Sequence, residues 1–300
     1  MKAVVFGSMN IDKVYSLPHL PEKGETLYTD KYEIHVGGKG LNQAVSLAQS
    51  GAEVYMAGWV GGDGKFLTDF LVDAGVNTDW VRHTDGFTGH AVIEVDRDGQ
   101  NQMILFPGAN KEIDTDYCDT VLRSLEKGDL LLMQYETSQV EYMLQKAHEK
   151  GVKTAFNPSP YVDELKRLPF DCVDYLILNE YEGQHITGKE SIDDVISTLN
   201  ALNPDGAVIL TLGGDGAVYS DKNITVSVPA FKVNAVDTTG AGDTFTGYCL
   251  NALLSGKTPS DALIIASAAS AIAVTQSGAA ETIPNAENVK DFLDKNRIQQ

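Results

Sequence analysis

The sequence predicts an α/β fold: a three-layer, doubly wound, mostly parallel sheet with a small inserted β-sheet that forms a lid. Short apolar runs alternate with longer amphipathic stretches over most of the 300 residues, which is typical of parallel strands covered by helices on both faces. Two other regions alternate apolar and polar residues at period two, which indicates half-buried strands outside that sheet. We expect a single domain over residues 1–300, with the lid inserted from about residues 11–36 and 88–107.

The elements of the main sheet follow in order along the chain. The predicted strands are Ala3–Phe6, Glu53–Ala57, Asp129–Met133, Lys153–Phe156, Tyr175–Leu178 and Ala207–Thr211. The predicted helices between them are Leu41–Ser50, Phe66–Ala74, Asp116–Glu126, Gln139–Lys150 and Ser191–Leu202. Ala217–Ser220 and Ile224–Val228 are expected to form a terminal hairpin. From Ala241 onward the pattern is helical almost to the end, including Asp261–Thr275.

The lid is predicted from two pairs of strands with alternating polarity. The first pair is Ile11–Leu17 with Glu25–Val36, and the second is His90–Asp96 with Gln102–Phe106. The residues Asp96-Arg97-Asp98-Gly99 supply a turn between the strands of the second pair. Such a sheet could cover a binding site or pair with another subunit, so we expect a homodimer through the lid.

Composition excludes several classes of partner. The formal net charge is −19, and a surface this acidic repels phosphate backbones and anionic lipid. No apolar stretch approaches the roughly 20 residues that a membrane span needs. The three cysteines lie far apart, without metal-ligand spacing. We therefore expect a cytoplasmic protein that binds neither nucleic acid nor membrane.

A glycine-rich turn carries the strongest local signal for chemistry. In the segment Asp237 to Asp243, small residues at Gly240, Ala241 and Gly242 let backbone N–H groups converge where a helix begins, which makes an anion site. A carboxylate in that turn, Asp243, is suited to accept the proton of a hydroxyl that attacks phosphate. Taken alone, the turn is equally compatible with an ordinary first-turn carboxylate.

Three further motifs are compatible with a site at the carboxyl ends of strands. Gly37-Gly38-Lys39-Gly40 opens a helix but lacks the spacing of a Walker A loop, and taken alone it is better explained as a plain left-handed turn. Asn10 and Asp12 follow the first strand, where they would suit a polyol or form an Asx-turn. Asn179 and Glu182 would form a helix cap, and Glu182 would also suit Mg²⁺.

Together these motifs resemble those of the ribokinase-like (PfkB) family of carbohydrate kinases. The matching segments appear in the family's order and cover nearly the whole chain: Gly7–Asp12, Gly37–Ala44, Asn179–Glu182, Thr211–Gly216 and Asp237–Phe245. The resemblance implies the family's fold and a kinase that uses ATP, Mg²⁺ and a monovalent cation such as K⁺.

The resemblance also implies roles for individual residues. The catalytic residues would be Asp243 as base with the anion turn Gly240, Ala241 and Gly242. Sugar would be bound by Asn10, Asp12, Gly38, Lys39, Asn42, Glu136 and Asp243. Nucleotide would be bound by Asn179, Thr211, Gly213, Gly214, Gly216, Gly242 and Ser267. Mg²⁺ would be bound by Glu182, directly or through water, and the monovalent cation by Asp237, Thr239, Ala273, Gln276, Gly278 and Thr282.

The implied substrate is D-ribose, phosphorylated to D-ribose 5-phosphate. Fructose, 2-keto-3-deoxygluconate and a nucleoside such as pseudouridine stay open as alternatives, because the loop after Val60-Gly61-Gly62-Asp63 departs from the family's usual pattern. A non-catalytic sugar-binding protein is a further alternative, although a binder has no need of a base at Asp243. No cluster of lysine and arginine lies near the sugar motifs, which disfavours a sugar phosphate.

Overall fold

The computed structural model describes residues 1–297. Within them, the strands are β1 (Ala3–Phe6), β2 (Asn10–Ser16), β3 (Lys31–Gly37), β4 (Val54–Val60), β5 (Asn77–His83), β6 (Gly89–Val95), β7 (Asn101–Phe106), β8 (Leu130–Gln134), β9 (Lys153–Asn157), β10 (Tyr175–Asn179), β11 (Ala207–Thr211), β12 (Ala217–Ser220) and β13 (Thr225–Val228). The α-helices are α1 (Lys39–Gln49), α2 (Lys65–Asp73), α3 (Thr115–Ser124), α4 (Val140–Lys150), α5 (Glu180–Thr187), α6 (Ile192–Leu202), α7 (Ala241–Leu254), α8 (Pro259–Ala273) and α9 (Ala286–Arg297).

The main sheet has the strand order β13-β12-β11-β10-β9-β8-β1-β4-β5. The run from β11 to β5 is parallel, and β12 and β13 complete an antiparallel hairpin edge. In the centre Gln134 of β8 lies opposite Asn157 of β9, and farther along Asn179 of β10 lies opposite Thr211 of β11. The polar residues that end these strands therefore share one edge of the sheet.

Helices cover both faces of this sheet, as the apolar strands predict. Successive strand residues face opposite layers, so Leu132 belongs to one core and Met133 to the other. The first core contains residues of α1, α2, α7, α8 and α9, and the second contains residues of α3, α4, α5 and α6. The three-layer, doubly wound prediction is confirmed.

The lid is a separate sheet with the order β3-β2-β6-β7. Strand β2 pairs antiparallel with β3 and parallel with β6, and β6 pairs antiparallel with β7 across the predicted turn. Paired residues share a face, so Asp12, His35, Ala91 and Leu105 lie on one face of the lid. Every residue of β7 is exposed.

Several boundaries differ from the prediction for physical reasons. Strand β5 was not predicted, because this partly exposed edge strand is largely polar and has no apolar run. Residues 25–30 were predicted as strand but precede β3, since pairing with β2 begins only at Lys31. Helix α5 was not among the predicted helices, although its cap was. The helical stretch after Ala241 is interrupted at residues 255–258 and 274–285.

Of the helices in residues 1–297, none combines the length and the apolar character that crossing a membrane requires.

Candidate active site

The strand ends of the main sheet and the first turn of α7 converge on Asp243. Helix α7 begins at Ala241, and its N-cap Gly240 has a φ of 73°, a left-handed value that glycine adopts freely. Asp243 is 7% exposed, and each carboxylate oxygen accepts one amide hydrogen bond. Asn42 Nδ2 donates to Oδ2 at 3.0 Å, and Gln43 Nε2 donates to Oδ1 at 2.8 Å. A buried carboxylate thus lies beside the N-terminus of a 14-residue helix.

Two cavities adjoin this turn. A cavity of about 220 Å³ is lined by Asp243, Gly240 and Gly242 together with Lys39, Asn179, Glu182 and Thr211. A second cavity of about 310 Å³ shares Thr211, Thr238 and Gly242 with the first. Its lining also includes the sequence-predicted nucleotide residues Gly213, Gly214, Gly216 and Ser267, beside Phe231 and Phe245. The two cavities therefore place a small polar space next to a larger, more apolar one.

Lys39 supplies positive charge to the smaller cavity. Burial acts to lower the pKa of Lys39, but the carboxylates of Asp243, Glu136 and Glu182 outweigh it and raise that pKa. The lysine is consequently charged at neutral pH. It lies at the start of α1, whose N-cap Gly38 has a φ of 92°. Lys39 therefore provides one positively charged group for an anion in the smaller cavity.

Glu182 is both part of a helix cap and a cavity residue. Asn179 Oδ1 accepts from Glu182 N at 2.8 Å, and Glu182 Oε2 accepts from Asn179 N at 3.0 Å, which is the predicted capping box. Burial raises the pKa of Glu182, although the Asn179 N–H and the nearby Lys39 act in the opposite direction. The cap orients the carboxyl group at the cavity wall, so structural and ligand-binding roles are compatible.

The predicted sugar residues lie where the lid meets the main domain. Glu136 accepts hydrogen bonds from the Ser8 hydroxyl and, at 3.0 Å, from Lys39 N. Asn10 Oδ1 accepts from Asn110 Nδ2 at 2.8 Å. Burial, followed by the charges of Glu136 and Glu281, raises the pKa of Asp12 to about 7, and His35 opposes this increase. Acceptor oxygens of this kind suit the hydroxyl groups of a polyol.

The residues predicted for a monovalent cation form two hydrogen-bonded segments. Asp237 accepts from Thr239 N at 2.9 Å and from Gly278 N at 3.1 Å, and Val274 O accepts from Asp237 N. Burial alone would raise the pKa of Asp237, but the hydrogen bonds that its carboxylate accepts from Thr239 and Gly278 outweigh burial and lower that pKa. Ala273 ends α8, Gln276 follows it, and the Thr282 hydroxyl donates to Ala279 O at 3.0 Å. One ionised carboxylate among backbone carbonyls fits a monovalent cation.

No group of three or more His, Cys, Asp or Glu side chains within residues 1–297 is arranged to hold a metal. A divalent cation here would therefore depend on Glu182, water and the oxygens of a bound phosphate. Mg²⁺ accepts such a donor set, since it commonly retains waters and binds through one or two carboxylates plus substrate phosphates. The residues present fit Mg²⁺ on these terms.

Several polar residues of the site had no role in the sequence prediction. They are Ser8, Gln43, Asn110, Gln134 and Asn157. Gln43 belongs to a motif that was recognised for its neighbours, and Gln134 and Asn157 each end a strand whose predicted boundary stopped one residue earlier. For Gln134 and Asn157 the available signal was a polar residue at the carboxyl end of a buried strand.

Comparisons with known proteins agree with this geometry. The profile described as pfkB family carbohydrate kinase matches residues 1–286. A ribokinase of Haemophilus influenzae is 36% identical over 302 residues, covering 97% of each chain. A deoxyribokinase of Salmonella typhi is 31% identical over 306 residues, covering 99% of this chain and all of the relative. The structure of Arabidopsis thaliana ribokinase complexed with ribose and ATP superposes with a TM-score of 0.86 at 30% identity, covering 97% of this chain and 98% of that one.

Proposed function

The chain belongs to the pfkB family of carbohydrate kinases, and from that premise we propose that it transfers the γ-phosphoryl group of ATP to D-ribose, giving D-ribose 5-phosphate. The ribokinase similarity over nearly the whole of both chains supports ribose as the acceptor. The observation that carries the proposal is Asp243, a buried carboxylate in the first turn of a helix, which lines the smaller of two adjoining cavities. A protein that only bound sugar would have no need of this base.

The reaction is an in-line displacement at phosphorus. Asp243 takes the proton of the sugar hydroxyl as the new O–P bond forms. The bond from phosphorus to the bridging oxygen of ATP breaks, and its electron pair leaves with ADP. The amides at Gly240, Ala241 and Gly242, together with the charge of Lys39, stabilise the negative charge on the transferred group. The sugar is oriented by Asn10, Asp12, Gly38, Lys39, Asn42 and Glu136.

The nucleotide occupies the 310 Å³ cavity, with its base near Ser267 and its phosphates directed toward Asn179 and the smaller cavity. Glu182 would hold Mg²⁺, directly or through water, and the bound ion would neutralise charge on the phosphates. Asp237 and the backbone around Gly278 would hold a monovalent cation near the anion turn.

The lid covers the sugar and supports a homodimer. Apolar side chains of β7 are exposed, and Ile104 is 66% exposed. Register places Ile104 with Val92, Lys13 and Ile34 on the face of the lid opposite to Asp12. An edge strand with exposed apolar residues tends to be covered in native proteins. We therefore assign this face of the lid to contact with a second copy of the chain. We also assign residues 1–300 to a single domain into which the lid is inserted.

A coupled assay of ADP release tests the proposal. Purified protein is given ATP, Mg²⁺ and K⁺ with ribose, deoxyribose, fructose, 2-keto-3-deoxygluconate, adenosine or pseudouridine. We expect the highest kcat/KM with ribose. Higher kcat/KM with deoxyribose, the sugar that the name of the 31% identical relative suggests, would keep the mechanism and replace the substrate. Absence of turnover with every acceptor would refute the proposed kinase activity and favour a protein that binds sugar without catalysis. Omission of K⁺ or Mg²⁺ in turn tests each cation.

A further inference from the structure

A continuous set of buried amide side chains holds Asp243 from the side away from solvent. Gln43 and Gln134 are fully buried, and Asn157 is 8% exposed. We infer that Gln43 is a positioning residue that fixes the orientation of the Asp243 carboxylate and leaves Oδ2 to receive the proton of the acceptor hydroxyl. This inference rests on the proposed function of Asp243 as the base.

The direction of the hydrogen bonds is set by the backbone. Asn157 Nδ2 donates to Ile177 O at 2.8 Å, and a carbonyl can only accept, so Asn157 Oδ1 must face Gln43. Gln43 Nε2 donates to that oxygen at 3.1 Å and to Asp243 Oδ1 at 2.8 Å. Both amide hydrogens of Gln43 are therefore used, and the group that faces Asp243 is a donor.

The other end of Gln43 is fixed as well. Gln43 Oε1 accepts from Gln134 Nε2 at 2.6 Å, so a flipped Gln43 amide would set two donors against each other. A Cβ at Gly7 would overlap Gln134 Oε1, so the glycine that follows β1 leaves the space that Gln134 occupies. These side chains are buried away from water, so a broken hydrogen bond between them is not replaced by one to water. The loss would cost free energy, and this cost keeps the amide groups in the observed orientation.

The two oxygens of Asp243 consequently differ. Oδ1 is turned toward the buried Gln43, whereas Oδ2 is bonded to Asn42, one of the proposed sugar residues. The proton therefore passes from the sugar hydroxyl to Oδ2. Without Gln43 the carboxylate can rotate about its Cβ–Cγ bond and leave the geometry that transfer requires. Misplacement of a reacting group by about 1 Å can cost about a hundredfold in rate.

The test compares Gln43→Met with Gln49→Met. Methionine matches glutamine in length and removes both its donors and its acceptor. Gln49 lies on the same helix but contacts Ala74 O at 3.5 Å, far along the helix from Asp243. We expect Gln43→Met to lower kcat by about 10- to 100-fold, with the ribose Kd from calorimetry within about threefold of wild type. We expect Gln49→Met to keep both values. A Gln43→Met protein with kcat within twofold of wild type would overturn the inference.

A second variant covers the case in which Gln43→Met does not fold. Gln134→Met removes the donor to Gln43 Oε1 without touching Asp243, and we expect a lower kcat at an unchanged ribose Kd. A folded Gln134→Met protein with wild-type kcat would then overturn the inference. Failure of the proposed function would be visible separately, because wild-type protein itself would show no turnover with any sugar.

Discussion

The carboxyl group of Asp12 makes sugar binding dependent on pH near neutrality. Burial and the charges of Glu136 and Glu281 raise its pKa to about 7, and His35 opposes them. A carboxylate accepts two sugar hydroxyls, whereas the protonated acid loses part of that capacity. With a pKa of about 7, roughly 10% of Asp12 is ionised at pH 6 and roughly 90% at pH 8. We therefore expect ribose to bind more tightly at pH 8 than at pH 6, by up to about tenfold, the limit reached if only the ionised form binds.

Isothermal titration calorimetry with ribose, without ATP, measures this effect across pH 6 to 8. Asp12→Asn should bind ribose weakly with a Kd that does not vary over this interval. The His35→Gln variant shows whether the imidazole, whose Nδ1 lies 3.6 Å from Glu281 Oε1, contributes to the pH dependence of the ribose Kd in addition to Asp12. A wild-type Kd that is constant from pH 6 to 8, or a pH dependence that persists in Asp12→Asn, would refute the assignment.

The same pKa has a consequence for folding. The pKa of Asp12 is raised from 3.8 in the unfolded chain to about 7 in the folded protein, so the unfolded chain binds fewer protons between these values. The contribution of Asp12 to stability therefore falls as pH rises from about 4 to about 7, and stays unfavourable above that. Asp12→Asn should raise Tm at pH 8 and leave it nearly unchanged at pH 4. Thermal unfolding at the two pH values measures the difference.

Three further outcomes follow from the site and the lid. Asp243→Asn should lower kcat by about 10²- to 10⁴-fold while ribose binding by calorimetry is retained, and a near-normal kcat would exclude the base. Gly40→Ala would place a Cβ 2.5 Å from Ser8 N and 2.6 Å from Gly7 C, so we expect a loss of about 1–3 kcal/mol in urea unfolding; unchanged stability would contradict the close approach of α1 to β1. Ile104→Lys, on the lid face opposite to Asp12, should give a monomer by light scattering, and a wild-type monomer would refute the proposed dimer.

Much of the fold could be read from local patterns. The apolar runs of β1, β8 and β11 are buried on both faces, so their composition alone indicated parallel strands. The period-two segments indicated the lid, because strands outside the buried sheet alternate polar and apolar residues, although β7 is exposed along its whole length. Strand β5 escaped this reasoning, since it is stabilised by its pairing with β4 rather than by burial of an apolar run.

Motif spacing in the chain was sufficient to indicate Asp243, the anion turn of α7, the Asn179 cap and the family itself, because each depends on residues close together in sequence. The arrangement around Asp243 depends on folding. Gln43 forms hydrogen bonds with three residues that are distant in sequence: Asp243, 200 residues away, Asn157, 114 residues away, and Gln134, 91 residues away. Hydrogen bonds between side chains so far apart leave no periodic trace in a sequence. They exist because parallel strands end at one edge of the sheet, where α1 and α7 pack together and exclude water.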